Sequence, residues 1–352
     1  MRFQIIFDKN TKLNGKDTII LGIESSCDDT SAAIIKNGKV LSNIVAGQKV
    51  HEQYGGVVPE LASRAHQQNI IPVVDAALKT ANINKTELDG IAFTRGPGLL
   101  GSLIVGTSFA KSFALGLDIP LVEVNHMQGH ILAHFIQNDA ERYPEFPFIC
   151  MTVSGGHTQI VLVKDYFEME ILGQTIDDAA GEAFDKAAKI MGLPYPGGPL
   201  IDKYAKQGDR KKIPFPVSNL AGYNFTFSGL KTSILYFLKK EMAKNPQFIE
   251  ENLADICASY QSTIIQSLFK KLVKAAADYD IKDIAIAGGV SANSLLRSEL
   301  DRIGTRENWN VFIPSFEYCT DNAAMIGIAG YYKFLKGEFA GQDVVPSARL
   351  KF

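Results

Sequence analysis

The feature that most constrains the fold is a pattern that occurs twice in the chain: an apolar strand, a short polar turn and a second apolar strand. The first copy is GIESSCDDTSAAII and the second is MTVSGGHTQIVLV. Each copy is followed by alternating helical and strand-like segments. Two such units predict two related α/β lobes. Because ligands of such sheets bind at the carboxyl ends of strands, the turns SSCDDTS, SGGHT and AGGVSAN are predicted to line a ligand cleft.

The same pattern predicts the domain boundaries. Residues 1–17 are expected to be a short extension before the fold. The first lobe is predicted over residues 18–125, with a C-terminal return over residues 320–352. The second lobe is predicted over residues 126–319, with an insertion around residues 175–235 that contains the Pro/Gly-rich stretch PYPGGP.

Composition narrows the classes of function. The formal net charge of -2 excludes a globally basic nucleic-acid binder, so contact with RNA needs a local patch or a partner protein. The lysine groups KK, KK and KKLVK of the second half are interpreted as ordinary surface. The four cysteines form no CxxC pair, which is typical of reduced thiols. With no signal peptide and no segment expected to span a membrane, the chain is predicted to be cytoplasmic.

The segment NHMQGHILAH places two histidines one helical turn apart. His126 and His130 face the same way on a helix and can share one metal ion, whereas His134 is turned aside and is expected outside the site. The alternative is an ordinary helix that carries imidazoles. A zinc protease of the HExxH type would need glutamate after the first histidine, but Met127 stands there.

Two histidines need a further ligand, and Asp321 in CTDNAAMIG is the candidate. It precedes the last predicted helix, where an aspartate is also a normal capping residue. The strand NVFIPS directs the chain back toward the strand ends, which favours a position in the cleft. Two histidines and one carboxylate suit iron and, less specifically, zinc or manganese.

The glycine-rich turns suggest a phosphate site. In SGGHT and AGGVSAN, glycines follow apolar strands, and their N–H groups can cradle a phosphate; plain tight turns are the alternative. Asp28 and Asp29 could bind a metal–phosphate group or act as a base, or be ordinary acidic turn residues. Glu182 and Asp185 could hydrogen-bond a ribose or form a solvated charged face.

Together these motifs resemble one family. LGIESSCDDTSAAI, QYGGVVPELASRAH, TRGPGLLGSLIVG, VNHMQGHILAH, VSGGHTQIVLV, DDAAGEAFDKAAKIMGLPYPGGP, FSGLKTS, AGGVSANSLLR and CTDNAAMIG occur in this order. The chain is similar to the tRNA N6-adenosine threonylcarbamoyltransferases over residues 19–332. The family also carries an older name, O-sialoglycoprotein endopeptidase, which the missing HExxH glutamate argues against.

The resemblance implies an actin/Hsp70/sugar-kinase-like fold of two lobes around a central ligand cleft. It implies transfer of a threonylcarbamoyl group from threonylcarbamoyl-adenylate to the N6 amine of the adenosine beside the anticodon, in tRNAs that read A-starting codons, with release of AMP. The implied partners are the tRNA, a paralogous subunit of the same fold and a small ATPase subunit. We also expect the small-residue helix LLGSLIVGTSFAKSFALGL to pair with that paralogue.

The resemblance also implies site residues. His126, His130 and Asp321 match the family's metal ligands, usually given as binding iron, with zinc as the alternative. The substrate positions match a set in the second lobe: Val153, Ser154, Gly155, Gly156, His157, Asp185, Gly198, Asp202 and Asn293. For the proton of the attacking amine, Asp28 or Asp29 is the candidate acceptor or orienting group.

Three other functions fit parts of the pattern. A small-molecule kinase or ATPase of the same fold would use the glycine turns but would not need the histidine pair. A metal-dependent peptidase would need a general base beside the metal. A nucleotide-binding scaffold without activity would have no use for the metal ligands.

Overall fold

The structure is a computed structural model that describes residues 17–137, 142–218 and 220–351. The described residues group into two compact units. Unit 1 draws on the described residues within 1–48, 57–142 and 321–352, and unit 2 on those within 49–56 and 143–320. The predicted lobe boundaries stay a prediction, but residues 126–137 share their contacts with unit 1. Of the predicted N-terminal extension, all but Asp17 lies outside the described residues.

The described residues contain ten β-strands. They are β1 (Ile19–Glu24), β2 (Thr30–Lys36), β3 (Lys39–Ala46), β4 (Gly90–Gly96), β5 (Leu121–Asn125), β6 (Phe148–Val153), β7 (Thr158–Asp165), β8 (Glu168–Gln174), β9 (Asp283–Ala287) and β10 (Asn310–Phe312).

The two sheets have the same topology. In unit 1 the order is β3-β2-β1-β4-β5, with β1, β2 and β3 antiparallel and β1, β4 and β5 parallel. In unit 2 the order β8-β7-β6-β9-β10 repeats this arrangement, with an antiparallel β6-β7-β8 part and a parallel β6-β9-β10 part. The duplicated strand–turn–strand pattern of the sequence therefore corresponds to two sheets of identical strand order.

Nine α-helices lie within the described residues. They are α1 (Pro59–Ala81), α2 (Leu100–Leu117), α3 (His126–Leu132), α4 (Ala180–Ile190), α5 (Gly197–Ala205), α6 (Ser228–Met242), α7 (Phe248–Tyr279), α8 (Ser294–Glu307) and α9 (Ala323–Lys336). The core of unit 1 packs α1 and α2 against the sheet, and the core of unit 2 is built mainly around α4 and the buried face of α7.

Local sequence signals explain several of these elements. Asn37 and Gly38 both have positive φ (51° and 79°), as a tight two-residue hairpin between β2 and β3 requires. A Cβ at Gly22 would lie 2.5 Å from the Ala323 carbonyl oxygen and 2.7 Å from the Gly327 nitrogen. Only glycine at this position lets α9 approach β1 so closely.

Pro72 does not end the helix that contains it, because α1 is a single helix with the proline inside it. α8 begins at Ser294, after a short 3-10 turn over Gly289–Ala292. Lys271, predicted to lie on the surface, is buried, and its Nζ donates to the carbonyl oxygens of Leu220 and Gly222.

Two glycines of α2, Gly101 and Gly106, lie close to other parts of unit 1, whereas Gly116 is exposed. A Cβ at Gly101 would lie 2.3 Å from Ser63 Oγ, and one at Gly106 would lie 2.1 Å from Ser25 Oγ. These two small residues thus allow close packing within unit 1, and the pairing of α2 with a paralogous subunit stays a prediction. The apolar residues that α2 exposes are Leu100, Ile104 and Leu115.

Candidate active site

The histidine helix is fixed in place by its first residues. α3 begins directly after β5, and the Asn125 side-chain oxygen accepts hydrogen bonds from the backbone N–H groups of Met127 (2.9 Å) and Gln128 (3.3 Å). An asparagine cap of this kind satisfies N–H groups that have no partner within the helix. His126 is therefore the first helical residue, and His130 lies one turn later on the same buried helix.

Asp321 meets both imidazoles. Its Oδ1 lies 3.1 Å from His130 Nε2 and 3.4 Å from His126 Nε2. The two rings are perpendicular, with centroids 4.8 Å apart. The ligand atoms of all three side chains lie within 4.8 Å of one another. Chain segments almost two hundred residues apart thus form one cluster inside unit 1, as the sequence predicts, although its use as a metal site remains a proposal.

The position of Asp321 depends on its neighbour. Asn322, not Asp321, caps α9: its side-chain oxygen accepts from Met325 N–H at 3.1 Å. Asn322 is fully buried, whereas the Asp321 side chain keeps 27% of its surface exposed. Because the asparagine performs the capping, both oxygens of Asp321 stay available to other partners.

His134 is not part of this cluster. It lies in the 3-10 turn Ala133–Phe135 that follows α3, in agreement with its predicted exclusion from the site.

Glu24 is a buried carboxylate behind His126. It is fully buried at the end of β1, and its Oε2 lies 3.0 Å from His126 Nδ1 and accepts a 2.6 Å hydrogen bond from Thr94 Oγ1. Its Oε1 accepts from the Ser26 backbone N–H. Since an ionised carboxylate only accepts hydrogen bonds, the contact assigns a hydrogen to Nδ1 of His126 and directs Nε2 toward Asp321.

The charges of the cluster support one another. Burial disfavours the imidazolium form of His126, but the carboxylates of Asp321 and Glu24 outweigh it and hold the pKa of His126 well above its usual value. Burial likewise acts against the Asp321 carboxylate, but the charge and hydrogen bonds of His126 and His130 hold its pKa well below the ordinary value. The pKa of Glu24 is also lowered, because His126 outweighs the effect of burial.

This donor set fits a divalent metal ion. With its hydrogen on Nδ1, a neutral His126 points the lone pair of Nε2 at a carboxylate oxygen, and these two acceptors repel unless a cation lies near both. A proton or a metal ion meets that need. Two neutral imidazoles and one carboxylate are typical ligands of iron, zinc and manganese, and a carboxylate on the far nitrogen of a ligating histidine is the usual support. The cluster is consistent with a metal ion and does not identify which one.

The acidic turn after β1 also belongs to unit 1. His66 of α1 contacts both ends of this turn: its Nδ1 lies 2.7 Å from Thr30 Oγ1, and its Nε2 lies 3.0 Å from the Cys27 carbonyl oxygen. Partial burial and the nearby charge of Asp28 raise the pKa of Asp29 to about 7. A carboxylate that titrates near neutral pH can accept a proton during a reaction, so Asp29 is better suited than an ordinary acidic turn residue.

In unit 2, the two glycine-rich turns follow neighbouring parallel strands. β6 pairs with β9 through Thr152 and Ala287, so the turns after both strands lie at the same edge of the sheet. A Cβ at Gly288, where φ is +88°, would lie 2.5 Å from the carbonyl oxygen of Val153. The predicted phosphate turns are thereby brought together within this unit.

The first of these turns is closed by its own hydrogen bonds. Ser154 N–H donates to the His157 carbonyl oxygen (2.8 Å), and His157 N–H donates to Ser154 Oγ (3.1 Å). At its tip, Gly155 and Gly156 are exposed, and a Cβ at either would meet no atom within 4 Å. Their backbone is open to a ligand.

The other predicted substrate residues have structural partners in unit 2. Asp185 Oδ1 accepts from the N–H groups of Gly197 (2.8 Å) and Gly198 (3.2 Å), and burial raises the pKa of this carboxyl above its ordinary value despite these bonds. Asp202 accepts from both the N–H and the hydroxyl of Ser294. These contacts order the start of α5 and of α8, which is a structural role whether or not a substrate binds.

Asn293 is likewise engaged. Its Oδ1 accepts from Leu296 N–H at 3.0 Å as the cap of α8, and its Nδ2 donates to Gln261 Oε1 at 2.9 Å. The roles of these residues in substrate binding stay a prediction.

The sequence reasoning missed Glu24 and Thr94. Glu24 was visible as a charged residue at the end of an otherwise apolar strand, GIE, where a carboxylate is costly unless it has partners. Thr94 lies in the middle of an apolar strand and gave no such signal.

Comparison with known proteins decides the family. The family model described as "TsaD: tRNA N6-adenosine threonylcarbamoyltransferase" matches residues 39–328. A protein of that name from Christiangramia forsetii is 65% identical over 333 residues, which cover 95% of this chain and 98% of the relative. The chain belongs to this family. Proteins of the same name from Cytophaga hutchinsonii (60% identical, 94% of this chain and 96% of the relative) and Porphyromonas gingivalis (59%, 95% and 99%) are similar over nearly their whole lengths.

Solved structures support the fold class. HypF of T. kodakarensis is similar with a TM-score of 0.59 at 16% identity, over 93% of this chain and 49% of that one. A full-length HypF in a phosphate- and nucleotide-bound form is similar with a TM-score of 0.58 at 13% identity, over 92% and 47%. These likenesses concern the fold, and the predicted α/β class of the actin/Hsp70/sugar-kinase type is confirmed.

The expectation that no segment is long and apolar enough to span a membrane is wrong for one helix. α2 is long and apolar enough to cross a membrane by length and composition, with a mean hydropathy of 1.4, and a third of it is buried inside unit 1. Core helices of soluble proteins meet the same criterion. In this structure α2 packs against α1 and β4.

Proposed function

We propose that this chain is a tRNA N6-adenosine threonylcarbamoyltransferase, which transfers a threonylcarbamoyl group from threonylcarbamoyl-adenylate to the N6 amine of the adenosine beside the anticodon in tRNAs that read A-starting codons. The observation that carries the proposal is the 65% identity with a transferase of this name over 95% of the chain. The buried cluster of two histidines and one aspartate agrees with it.

The reaction needs positioning and charge stabilisation more than a covalent intermediate. The N6 nitrogen forms a bond to the carbamoyl carbon, the bond from that carbon to the phosphate oxygen of AMP breaks, and the amine gives up a proton. Because the donor is a mixed anhydride, its carbonyl group is already activated. The enzyme must hold the amine near this carbon and stabilise the negative charge on the carbonyl oxygen and on the leaving phosphate.

Asp29 is our candidate for the proton acceptor, ahead of Asp28. Its pKa of about 7 means that a substantial fraction is ionised at neutral pH and that the carboxylate is still basic enough to take a proton. His66, bonded to the turn on both of its ring nitrogens, keeps the loop in place.

The metal site is proposed to hold Fe(2+), with Zn(2+) as the alternative. His126, His130 and Asp321 would be its ligands in this chain. When bound, the ion would supply Lewis-acid stabilisation of phosphate or carbamoyl oxygens. The contribution of Glu24 is to keep the hydrogen of His126 on Nδ1, so that Nε2 is free to bind the ion.

In unit 2, the turn from Val153 to His157 is proposed to bind the nucleotide part of the donor. Exposed backbone at Gly155 and Gly156 offers N–H groups without side chains that would obstruct a phosphate. Asp185, Gly198, Asp202 and Asn293 are proposed to complete this substrate site.

The proposed partners are the tRNA, a paralogous subunit of the same fold and a small ATPase subunit, and the proposed location is the cytoplasm. For the paralogous subunit, the exposed apolar face of α1 and α2 is the better candidate than the small residues first considered. Ile71 (66% exposed), Leu100 (51%) and Ile104 (47%) lie on it. Exposed apolar patches of this kind commonly mark protein interfaces.

The direct test uses the purified chain with the partner subunits, synthetic threonylcarbamoyl-adenylate and unmodified tRNA. Nucleoside mass spectrometry should detect threonylcarbamoyladenosine, and AMP should be released in equal amount. Phosphoryl transfer to a small molecule without modification of the tRNA would instead support a kinase of the same fold. Peptide cleavage would support a metal-dependent peptidase.

A further inference from the structure

A basic groove lies between α7 and α8 in unit 2, on residues that none of the roles above uses. It has a volume of about 630 Å³. Its lining carries five basic side chains and a single acidic one: Arg210, Lys211, Lys270, Arg302, Arg306 and Glu299. Ile265 and Phe269 of α7 form part of its buried floor. An excess of four positive charges within one groove contrasts with a chain whose net charge is -2.

The single acidic side chain of the lining, Glu299, holds two of its arginines without neutralising the lining, and Arg306 pairs with Glu307, which lies outside the lining, at 2.7 Å. Glu299 Oε1 lies 2.9 Å from Arg210 Nη1, and its Oε2 lies 2.6 Å from Arg302 Nη2. Both arginines remain about half exposed, at 51% and 57% of their side-chain surface. An arginine has five N–H donors, so each guanidinium keeps donors that point to solvent while one carboxylate holds its position.

The charges come from separate parts of the chain. Lys211 lies in the loop after α5, Lys270 on α7, and Arg302 and Arg306 lie one turn apart on α8, which places them on one face of that helix. This explains why the sequence showed only short lysine groups, which are interpreted as ordinary surface when read one at a time.

We propose that this groove binds the phosphate backbone of the tRNA substrate, an inference that rests on the proposed function. Arginine and lysine side chains in a groove are typical of contacts with phosphates, which set affinity and register without reading bases. An acidic protein segment is the competing occupant. Of these two occupants, tRNA is favoured. The family acts on tRNA, and because this chain has a net charge of -2, it needs a local basic surface to bind RNA.

The test compares two variants that remove the same charge from the same unit. K211Q/K270Q removes two exposed lysines of the groove, and K239Q/K240Q removes two exposed lysines at the end of α6, which do not line it. The dissociation constant for unmodified tRNA is measured by fluorescence anisotropy with the full chain between 50 and 200 mM salt. Thermal unfolding of each variant reports whether it is folded.

K211Q/K270Q should weaken tRNA binding about tenfold at the low-salt end and reduce the slope of log affinity against log salt by about 1.4–1.8, as expected for two lost phosphate contacts. The control K239Q/K240Q should change affinity by less than about twofold, and K211R/K270R should restore binding. Equal weakening by both double variants, or no weakening by K211Q/K270Q, would overturn the proposal. So would loss of polyglutamate binding with tRNA binding intact, which would indicate an acidic protein partner.

A transfer assay separates this inference from the proposed function. If the groove binds tRNA, K211Q/K270Q raises the KM for tRNA and keeps kcat. If the wild type modifies tRNA and K211Q/K270Q has an unchanged KM, only the groove assignment fails. If the wild type does not modify tRNA with its partners present, the proposed function fails, and the binding comparison of K211Q/K270Q with K239Q/K240Q alone decides the groove assignment.

Discussion

Replacing Glu24 by glutamine tests how the metal site is supported. Glutamine keeps the shape of the side chain but removes the charge, and it has one acceptor oxygen where the carboxylate has two. In the structure three donors converge on Glu24: His126 Nδ1 (3.0 Å), Thr94 Oγ1 (2.6 Å) and the Ser26 N–H. An amide group cannot accept from all three, because its nitrogen is a donor. In E24Q, at least one of these three donors is therefore left facing the N–H group of the glutamine amide.

The expected consequence is weaker metal binding. Loss of a carboxylate behind a ligating histidine typically costs about 10–100-fold in metal affinity, which corresponds to about 1.4–2.7 kcal/mol. The dissociation constant for Zn(2+) is measured by competition with a chromophoric chelator, with chelator-treated protein and no substrate. Nitrogen-15 NMR of the same metal-free protein at neutral pH should show hydrogens on both ring nitrogens of His126 in the wild type and a larger neutral fraction of His126 in E24Q, because the variant lacks one of the two charges that raise the pKa of this histidine.

Thr94→Val is the matched control. It removes one hydrogen bond to Glu24 but keeps the carboxylate and its contact with His126, so metal affinity should fall by no more than about threefold. An affinity of E24Q within twofold of the wild type, or an equal loss in both variants, would refute the assigned role of the charge.

Four further outcomes follow from the structure. Asp321→Asn should remove most of the bound metal, as measured by elemental analysis, and full retention would exclude this residue as a ligand. In the folded protein the pKa of Asp29 is about 7, whereas in the unfolded chain it is about 4. Between about pH 4 and pH 7 the folded protein therefore keeps a proton on Asp29 that the unfolded chain has released, and the free energy of unfolding falls as pH rises through this range. Asp29→Asn should therefore raise the free energy of unfolding of the metal-free protein by about 4 kcal/mol at pH 8 and by little at pH 4 in urea titrations; an equal change at both pH values would contradict this. Gly22→Ala should destabilise unit 1 by about 2 kcal/mol or more, because its Cβ would lie 2.5 Å from a carbonyl oxygen of α9; unchanged thermal unfolding would disprove the packing argument. L100D/I104D should abolish association with the paralogous subunit in gel filtration while metal content stays the same, and intact association would move the interface elsewhere.

The parts of the fold that repeat were predictable from the sequence. The strand–turn–strand pattern that occurs twice predicted the two sheets, because it is a local signal, and the Asn37-Gly38 pair is a local signal of the same kind for the hairpin between β2 and β3. α6 was not predicted, although the residues that it buries, Leu230, Ile234 and Leu238, are spaced four apart as on one face of a helix. The close approach of Gly101 to Ser63 and of Gly106 to Ser25 also required the structure, because a stripe of small residues fits an internal helix contact and an external one equally well.

The candidate metal ligands could be predicted from the sequence, but the carboxylate that supports one of them could not. His126 and His130 are one turn apart, and Asp321 precedes a helix, so residue type and spacing pointed to them. Glu24, by contrast, meets His126 only because β1 and α3 are brought together across a hundred residues. The basic groove has the same origin: Lys211 and Lys270 share a surface through tertiary packing alone.

The central claim is transfer of threonylcarbamoyl to tRNA by a site that includes the His126, His130 and Asp321 cluster. The most direct measurement is the rate at which threonylcarbamoyladenosine appears, by nucleoside mass spectrometry, when wild type or Asp321→Ala is mixed with synthetic threonylcarbamoyl-adenylate, unmodified tRNA and the partner subunits. The wild type is predicted to form the nucleoside, and Asp321→Ala to be slower by about 100-fold or more, equivalent to about 2.7 kcal/mol of lost stabilisation. No modified nucleoside with the wild type, or equal rates for both proteins, would contradict the account.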